Sequence, residues 1–156
     1  MADDGAFVVT LERIERYLFQ AAFEGAGLEP LLVDEAPPLG GGRGPDPSRL
    51  LATAVGNCLS ASLLFCLERS HIPVKELKTR VTGAIRRNER GRLRVAQLDV
   101  EIMADIDPAD LPRAARCRDL FEDFCVVTAS VKQGVPVSVR VVDGQGNEIP
   151  GGAHDA

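Results

Sequence analysis

A run of eighteen residues without a charge, Leu50 to Leu67, constrains the fold more than any other feature of the sequence. Asp46 precedes it and can cap a helix, and Pro47 suits the first helical position, so we predict a helix from Ser48 to about Glu68. The run reaches the length of a membrane span. Small and polar residues dilute it, namely Thr53, Gly56, Asn57, Ser60 and Ser62. We therefore expect no membrane partner, but a helix buried at the centre of a globular core.

Strand patterns flank this helix on both sides. Before it, apolar runs at 7–11, 17–23 and 31–33 predict a short antiparallel meander. The segment 34–47 is rich in proline and glycine and is predicted to be an irregular loop. After the helix, residues 77–85 and 98–104 alternate between apolar and polar around a turn at Asn88-Glu89-Arg90-Gly91. This alternation predicts a hairpin with one buried face.

The last third of the chain predicts two helices and one strand. Asp107-Pro108 repeats the cap-and-proline signal and opens a helix that runs to about Asp123. A bend near Cys125 leads to a short helix that continues to Lys132 and is stopped by Gly134. Val135 to Val142 alternates like a final strand. The element order predicts an α+β fold with helices on antiparallel sheet, as a single domain over 1–143 with a flexible tail over 144–156.

Composition and charge exclude several classes of function. The net charge is −5 and aromatic residues are 4% of the chain, which argues against a nucleic-acid partner. Five arginines between 86 and 94 are interpreted as the solvated tip of the hairpin. The acidic N-terminus does not resemble a signal peptide, so we expect a cytoplasmic protein. Histidine occurs only at His71 and His154, and no cysteine pair has zinc-ligand spacing, so we expect neither a metal nor a bound cofactor.

The four cysteines are the remaining candidates for chemistry, and they are too few for a disulfide scaffold. Cys66 and Cys117 are expected to be inert thiols of the core. Cys58 follows a patch of small residues within the long helix. Cys125 begins a short helix, whose free N–H groups favour a thiolate. From the residues alone, a redox pair of Cys58 with Cys125 and a role for all four cysteines as core residues both stay open.

Two sequence motifs carry a resemblance to a known family. The first joins the Gly/Pro loop of 34–47 to the helix start and to Ala54-Val55-Gly56-Asn57-Cys58. The second runs from Cys125-Val126-Val127-Thr128 to Gly134-Val135-Pro136-Val137. Together they resemble the OsmC/Ohr family of thiol-dependent hydroperoxide reductases, and the likeness extends over about residues 7 to 142. The first motif is the more specific of the two.

This resemblance implies a fold, a partner and a mechanism. It implies an intertwined homodimer with two long helices at its centre, antiparallel sheets outside and active sites at the dimer interface. Cys58 would attack the O–O bond of an organic hydroperoxide and become a sulfenic acid, and Cys125 would condense with it to a disulfide. An external dithiol, such as a lipoyl-type reductant, would then reset the pair without any bound cofactor.

The sequence also departs from the family pattern at the residues that organise the thiolate. Ohr-type enzymes have a glutamate ten residues before the first cysteine, where this chain has Ser48, and the usual Cys-Pro of the second motif is Cys125-Val126. Three arginines are candidates to stabilise the thiolate instead: Arg49, Arg43 and Arg16. The chain thus resembles a divergent OsmC-like branch. The alternative function is redox sensing or apolar-ligand binding with little or no turnover.

Overall fold

Three short strands at the N-terminus form an antiparallel sheet in the order β1-β2-β3. They are β1 (Val9–Glu15), β2 (Leu18–Phe23) and β3 (Leu31–Val33). The structure is a computed structural model and describes residues 5–149. It confirms the predicted meander but moves its first strand from 7–11 to Val9–Glu15. The reason is pairing, since β1 follows β2 along its whole length, from Val9 opposite Phe23 to Glu15 opposite Leu18.

One carboxylate, that of Asp34, orders the loop between β3 and the long helix. Asp34 is 3% exposed and accepts hydrogen bonds from the backbone N–H groups of Arg43, Gly41 and Glu35 at 3.1, 3.1 and 2.9 Å. These bonds, that of Arg43 foremost, hold the pKa of Asp34 below its usual range. The predicted loop is therefore irregular, as expected from its composition, but it has a defined shape.

The long helix α1 (Pro47–Arg69) starts where the cap signal predicts. The Asp46 side chain accepts a hydrogen bond from the backbone N–H of Arg49 at 3.0 Å. The expectation of a helix buried all round is wrong for the single chain, because its buried residues are Val55, Gly56, Leu59 and Leu67 while much of its surface stays open. α1 is long and apolar enough to cross a membrane, and the core helices of soluble proteins can have the same length and composition.

The predicted hairpin is present and longer than expected. It consists of β4 (Glu76–Arg87) and β5 (Leu93–Asp105), with Glu76 opposite Asp105 and Arg87 opposite Leu93. The side chain of Asn88 accepts hydrogen bonds from the N–H groups of Arg90 and Arg92, and so closes the predicted turn. The pairing of β4 with β5 therefore extends to the tip of the hairpin, whereas the alternation of apolar and polar residues in the sequence is clear only nearer to the core.

Two helices and two 3₁₀ turns follow the hairpin. A turn at Pro108–Asp110 leads into α2 (Leu111–Leu120), and a turn at Phe121–Phe124 leads to α3 (Val126–Gln133). The helix predicted over 108–123 is thus divided into three pieces. The cap at Asp107 is confirmed by its bond from the N–H of Ala109 at 2.9 Å, and Gly134 ends α3 with φ 74°.

The predicted strand at 135–142 is wrong for the single chain. Within the described residues this segment makes one isolated bridge, between Val142 and Glu148. Val137 and Val139 are 81% and 82% exposed. A strand needs a neighbouring strand to satisfy its N–H and C=O groups, and in the part of the chain that the structure describes no strand runs alongside this segment. Of the predicted tail, 144–149 belong to a turn and bridge built on Asp143, and 150–156 lie outside the described residues.

The core consists of two clusters, one at each end of the contact between α1 and the segment from α2 to α3. The first contains Val55, Leu59 and Cys125. The second contains Leu67, Ile72 and Cys117. Each cluster therefore joins α1 to the returning helices, and each has a cysteine of that returning segment fully buried within it.

Candidate functional site

Cys58 lies in the middle of α1, where the helix meets the hairpin closely. Gly56, two residues earlier, faces β4 so tightly that a Cβ atom there would lie 2.7 Å from Cγ2 of Val81. A residue with a side chain would push the strand away. The glycine of the sequence motif therefore sets the distance between α1 and the hairpin beside Cys58. The Cys58 thiol itself is half-buried.

Cys125 occupies the N-cap position of α3 and is 0% exposed. Its backbone N–H donates to the carbonyl of Glu122 at 3.1 Å, and its carbonyl accepts from the N–H of Ala129 at 3.0 Å. Its Sγ lies 2.9 Å from Oγ1 of Thr128, a buried hydroxyl. The 3₁₀ turn before α3 thus turns the thiol inward, where its S–H donates to the Thr128 hydroxyl.

The two thiols predicted as a pair lie in one apolar cluster. Cys58 packs against the buried group formed by Val55, Leu59 and Cys125. The surrounding partly buried side chains are Leu98, Val100, Ile102, Phe121 and Val127. The two sulfur atoms are close enough for each thiol to shift the pKa of the other. The fold therefore brings together two residues that are separated by most of the hairpin and by α2 in the sequence.

The environment shifts the two thiols in opposite directions. Burial, followed by the hydrogen bond with Cys125, raises the pKa of Cys58. Burial also opposes ionisation of Cys125, but hydrogen bonds with Cys58, Thr128 and Ser62 outweigh it and lower the pKa of Cys125. The backbone N–H groups of Val127 and Thr128, in the first turn of α3, also hydrogen-bond Cys58 and act to lower its pKa.

The three candidate arginines contact other groups in the single chain. Arg49 pairs with Asp46, and Arg43 pairs with Glu15 at 2.9 Å. Arg16 donates to the carbonyl groups of Pro38 and Leu39 at 3.4 and 3.2 Å. All three lie around the loop ordered by Asp34 and the start of α1. Among the described residues, none makes an ion pair or a hydrogen bond with the thiol pair.

A groove of about 920 Å³ runs along α1 beside the thiol pair. Leu51, Val55 and Leu59 of α1 form one side of it and β5 forms the other. Thr128, the hydroxyl partner of Cys125, reaches the groove at the end where α3 begins. Arg118 and Lys132 also line the groove, and each is paired with a carboxylate that lines it, Asp119 and Glu122 respectively. The groove combines an apolar length with a polar end next to the site, which suits an amphipathic ligand.

The other two cysteines form a disulfide, which corrects the expectation that both are inert core thiols. The Cα atoms of Cys66 and Cys117 are 5.6 Å apart, within the range that a disulfide requires. The bond escapes sequence reasoning because 51 residues separate the two positions and only the packing of α2 on α1 brings them together. It leaves Cys58 and Cys125 as the free thiols of the chain.

Two hydroxyls at the site were not identified from the sequence. Thr128 follows Cys125 by three residues, the spacing at which a cap residue meets the third residue of a helix. Ser62 follows Cys58 by four residues and therefore shares its face of α1. Both spacings are present in the sequence, but they indicate that the two hydroxyls share one site only when α3 is known to pack against α1.

No metal-binding group of three or more His, Cys, Asp or Glu residues occurs in the part of the chain that the structure describes. The side chains that surround the thiols are apolar or carry hydroxyls. The chemistry that this arrangement can perform is therefore that of the two sulfur atoms themselves, namely oxidation to a sulfenic acid or to a disulfide.

Comparison with known proteins gives one family match and a set of similar structures. Residues 40–140 match the family model described as OsmC-like protein. This span includes α1, both free cysteines and the whole segment between them. No curated protein matches the sequence.

The similar structures have low sequence identity and agree in fold. An OsmC-like protein of unknown function from Vibrio cholerae superposes with a TM-score of 0.68 at 17% identity, over 84% of this chain and 95% of that one. An OsmC-like protein from Mycoplasma pneumoniae gives 0.65 at 18% identity, over 85% and 91%. An organic hydroperoxide resistance protein from Elizabethkingia anophelis, with thiocyanate bound, gives 0.60 at 18% identity, over 83% and 91%. At these identities the likeness confirms the predicted α+β OsmC-like fold and nothing finer.

Proposed function

This chain belongs to the OsmC-like protein family, and on that premise we propose that it is a thiol-dependent peroxidase that reduces organic hydroperoxides. Cys58 would form the sulfenic acid and Cys125 would resolve it. The observation that carries the proposal is the pair of free thiols that lie together in one apolar cluster beside an open groove. Some proteins of similar fold bear the name organic hydroperoxide resistance protein, which is consistent with this substrate class.

Access favours Cys58 as the thiol that meets the peroxide. Cys58 is half-buried, whereas Cys125 is 0% exposed. Sulfur of Cys58 would take the distal oxygen of the hydroperoxide, releasing the alcohol. Cys125 would then attack the sulfur of Cys58 and expel the oxygen as water. An external dithiol of the lipoyl type would return both thiols by exchange, so no bound cofactor is required.

We also propose that the working form is an intertwined homodimer. Three surfaces of the single chain support it: the open side of α1, the whole of β1, which is exposed along its length, and the valines of 135–141. Apolar surface of this extent is typical of an interface. A partner would bring a second α1 against the first and would give the 135–142 segment a strand to pair with. Sedimentation equilibrium at micromolar concentration should give twice the chain mass.

The main experiment measures consumption of an organic hydroperoxide with reduced lipoamide as the dithiol. The wild-type chain should turn over, and Cys58→Ser should lose at least about a thousandfold of the rate, because it removes the nucleophile. The control is the double variant Cys66→Ser/Cys117→Ser, which removes the disulfide and leaves the thiol pair in place. Undiminished turnover by Cys58→Ser would refute the proposal.

The second candidate is a redox sensor or apolar-ligand carrier with little turnover. The observation that favours it is the lack of charged groups that would stabilise a thiolate. Ser48 replaces the expected glutamate, and no arginine of the described chain makes an ion pair or a hydrogen bond with either thiol. This candidate predicts that one equivalent of hydroperoxide forms the Cys58–Cys125 disulfide slowly, and that the dithiol does not sustain turnover. Steady turnover over many equivalents of peroxide would exclude it.

A further inference from the structure

Thr128 is a residue of the site that contacts both sulfur atoms. Its hydroxyl accepts the S–H of Cys125 at 2.9 Å, and its backbone N–H, in the first turn of α3, hydrogen-bonds Cys58. The residue is 6% exposed, so the bond to Cys125 is largely shielded from water. Thr128 also lines the groove along α1. The start of α3 therefore places a hydroxyl where the thiol pair meets the open groove.

The step that forms the disulfide requires a proton to move from one side of the site to the other. Cys125 must lose a proton as it attacks, and the oxygen on Cys58 must gain one to leave as water. Attack on a sulfur atom is in line, so the departing oxygen lies on the side of the Cys58 sulfur that faces away from Cys125. The thiol therefore cannot transfer its own proton directly to that oxygen, and a group beside both sulfurs has to carry it.

We propose that the Thr128 hydroxyl carries this proton, by accepting the proton of Cys125 and donating its own hydrogen to the oxygen that leaves Cys58. The proposal rests on the proposed peroxidase function and adds a catalytic residue to its resolving step. A hydroxyl suits this role because it is a donor and an acceptor at once and rotates to change partners. In the described part of the chain, the Thr128 hydroxyl accepts from Cys125 and has no acceptor for its own hydrogen, which can therefore turn toward the departing oxygen.

The charged groups around Cys125 are paired, exposed or on another face, which leaves the proton to a hydroxyl. The run from Leu50 to Leu67 in α1 carries no charge. Glu122 and Lys132, on either side of Cys125 in the sequence, pair with each other at 2.6 Å. On β5, Asp99 and Glu101 alternate with the residues that pack on the cluster and so point to the other face. The remaining charged residues of the neighbouring helix and turn are exposed to solvent, namely Arg118, Asp119 and Asp123.

The step balances without any further reactant. The sulfur of Cys125 bonds to the sulfur of Cys58, and the bond from Cys58 to oxygen breaks with its electron pair. The proton of Cys125 moves to Oγ1 of Thr128, and the original hydroxyl proton of Thr128 moves to the departing oxygen, which leaves as water. Thr128 therefore ends as the hydroxyl that it was at the start. The sulfenic sulfur of Cys58 is reduced and the sulfur of Cys125 is oxidised, so both end as disulfide sulfurs.

A second hydroxyl at the site provides a matched comparison. Ser62 of α1 also contacts Cys125, but unlike Thr128 it does not line the groove. If a polar neighbour of the Cys125 sulfur is all that resolution needs, the two hydroxyls should contribute alike. If the proton has to reach the departing oxygen, removal of the Thr128 hydroxyl should slow resolution and removal of the Ser62 hydroxyl should not.

The test separates the two chemical steps in a single turnover with one equivalent of an organic hydroperoxide. A sulfenic-acid trap measures oxidation of Cys58, and rapid quenching with a thiol alkylator measures formation of the Cys58–Cys125 disulfide. Thr128→Val keeps the shape and lacks the hydroxyl. It should leave the first step within about twofold of wild type and slow the second by at least about a hundredfold, so that sulfenic acid accumulates. Thr128→Ser should recover the wild-type rate, and Ser62→Ala should change either step by less than about twofold.

The outcomes distinguish failure of the relay from failure of the proposed function. A Thr128→Val protein that forms the disulfide at the wild-type rate would overturn the relay, and so would equal slowing in Ser62→Ala. A wild-type chain that forms no sulfenic acid would refute the peroxidase function, and the relay with it.

The pH profile of disulfide formation separates proton transfer from mere positioning of Cys125. Over the pH range in which Cys125 is protonated, the wild-type rate should not depend on pH, because Thr128 takes the proton as the sulfur attacks. The Thr128→Val rate should rise about tenfold per pH unit, since Cys125 must first lose its proton to solvent. A slower variant with the wild-type profile would show that Thr128 only positions the thiol. In the wild type itself, disulfide formation should be slower in D₂O than in H₂O because two protons move in the step, and equal rates would contradict the relay.

Discussion

The chain contains two cysteine pairs that have the same spacing in the sequence and differ in their bonding. Cys58 and Cys66 are eight residues apart on α1, and Cys117 and Cys125 are eight residues apart on the returning segment. The two segments pack against each other in opposite directions, so that Cys66 lies beside Cys117 and Cys58 lies beside Cys125. The first pair is closed as a disulfide and the second is free. Spacing and residue type are the same, so the difference comes from what surrounds each sulfur.

The surroundings differ in polarity at the sulfur atoms. Cys117 lies within α2, 1% exposed, and the hydroxyl of Ser70 at 3.5 Å is its polar neighbour. Cys125 lies at the end of a helix with Thr128 and Ser62 close to its sulfur. A thiol pair is useful for catalysis only when one member can ionise and the other can be reached. The proposed peroxidase function assigns these two roles to Cys125 and Cys58, whereas the disulfide of Cys66 and Cys117 joins α1 to α2.

The largest expected effect is in thiol counting. A protein whose Cys58–Cys125 pair is reduced and whose disulfide is intact should show two titratable thiols rather than four after unfolding in urea without reductant. In the native protein Cys125 should react more slowly than Cys58 because it is buried, but unfolding should not raise the total above two, because the other two sulfurs are bonded to each other. Ellman titration with peptide mapping measures this. Four reactive thiols on unfolding would erase the distinction between the pairs.

The next effect is on stability. Cys66→Ser/Cys117→Ser removes a bond that closes a loop of 51 residues, and the free energy of unfolding should fall by about 4 kcal/mol. Peroxide oxidation of Cys58 should change by less than about twofold in the folded variant, since the two clusters are separate. Urea unfolding and peroxide kinetics measure the two quantities. A large loss of oxidation rate with little loss of stability would reverse the roles assigned to the pairs.

A smaller change tests the tight contact beside the working pair. Gly56→Ala places a methyl group 2.7 Å from Cγ2 of Val81 and should destabilise the chain by about 1–3 kcal/mol while slowing Cys58 oxidation. Gly56→Ala/Val81→Ala provides space for the methyl group and should restore the oxidation rate. Ala54→Gly, at an exposed position of the same helix, is the matched control. Equal slowing in the control would show that helix propensity, and not this contact, is responsible.

The smallest expected effect lies far from both pairs, at Asp34. Its pKa is lowered in the folded state, so its contribution to stability is fully present above its unfolded pKa of about 3.9 and is lost as the pH falls through the folded value. Asp34→Asn should therefore lower the melting temperature at neutral pH. In acid, the difference in melting temperature between the wild type and this variant should become smaller. The control Asp99→Asn, on an exposed strand position, should show no such convergence. A constant difference across pH would mean that the Asp34 charge does not stabilise the loop.

Local signals predicted most of the elements, because they act within a few residues. The caps at Asp46 and Asp107, the turn at Asn88 and the stop at Gly134 all lie where the sequence places them. Predictions that depend on distant partners were less accurate. Among the described residues, the segment predicted as a strand at 135–142 has a single bridge, from Val142 to Glu148. The helix predicted over 108–123 is divided by two 3₁₀ turns.

The candidate site divides in the same way. Motif and resemblance were enough to single out Cys58 and Cys125, since a mid-helix cysteine and a helix-start cysteine are local features. Which cysteines pair and which hydroxyls lie beside Cys125 were decided by the tertiary structure. The physical reason is range, because capping and periodicity act over one or two helical turns. Hydrogen bonding and burial at a sulfur atom depend on groups brought together across dozens of residues. The uncharged run of α1 determined where the centre of the fold would be, and only the returning helices decided that one end of their contact would be a disulfide and the other a pair of free thiols.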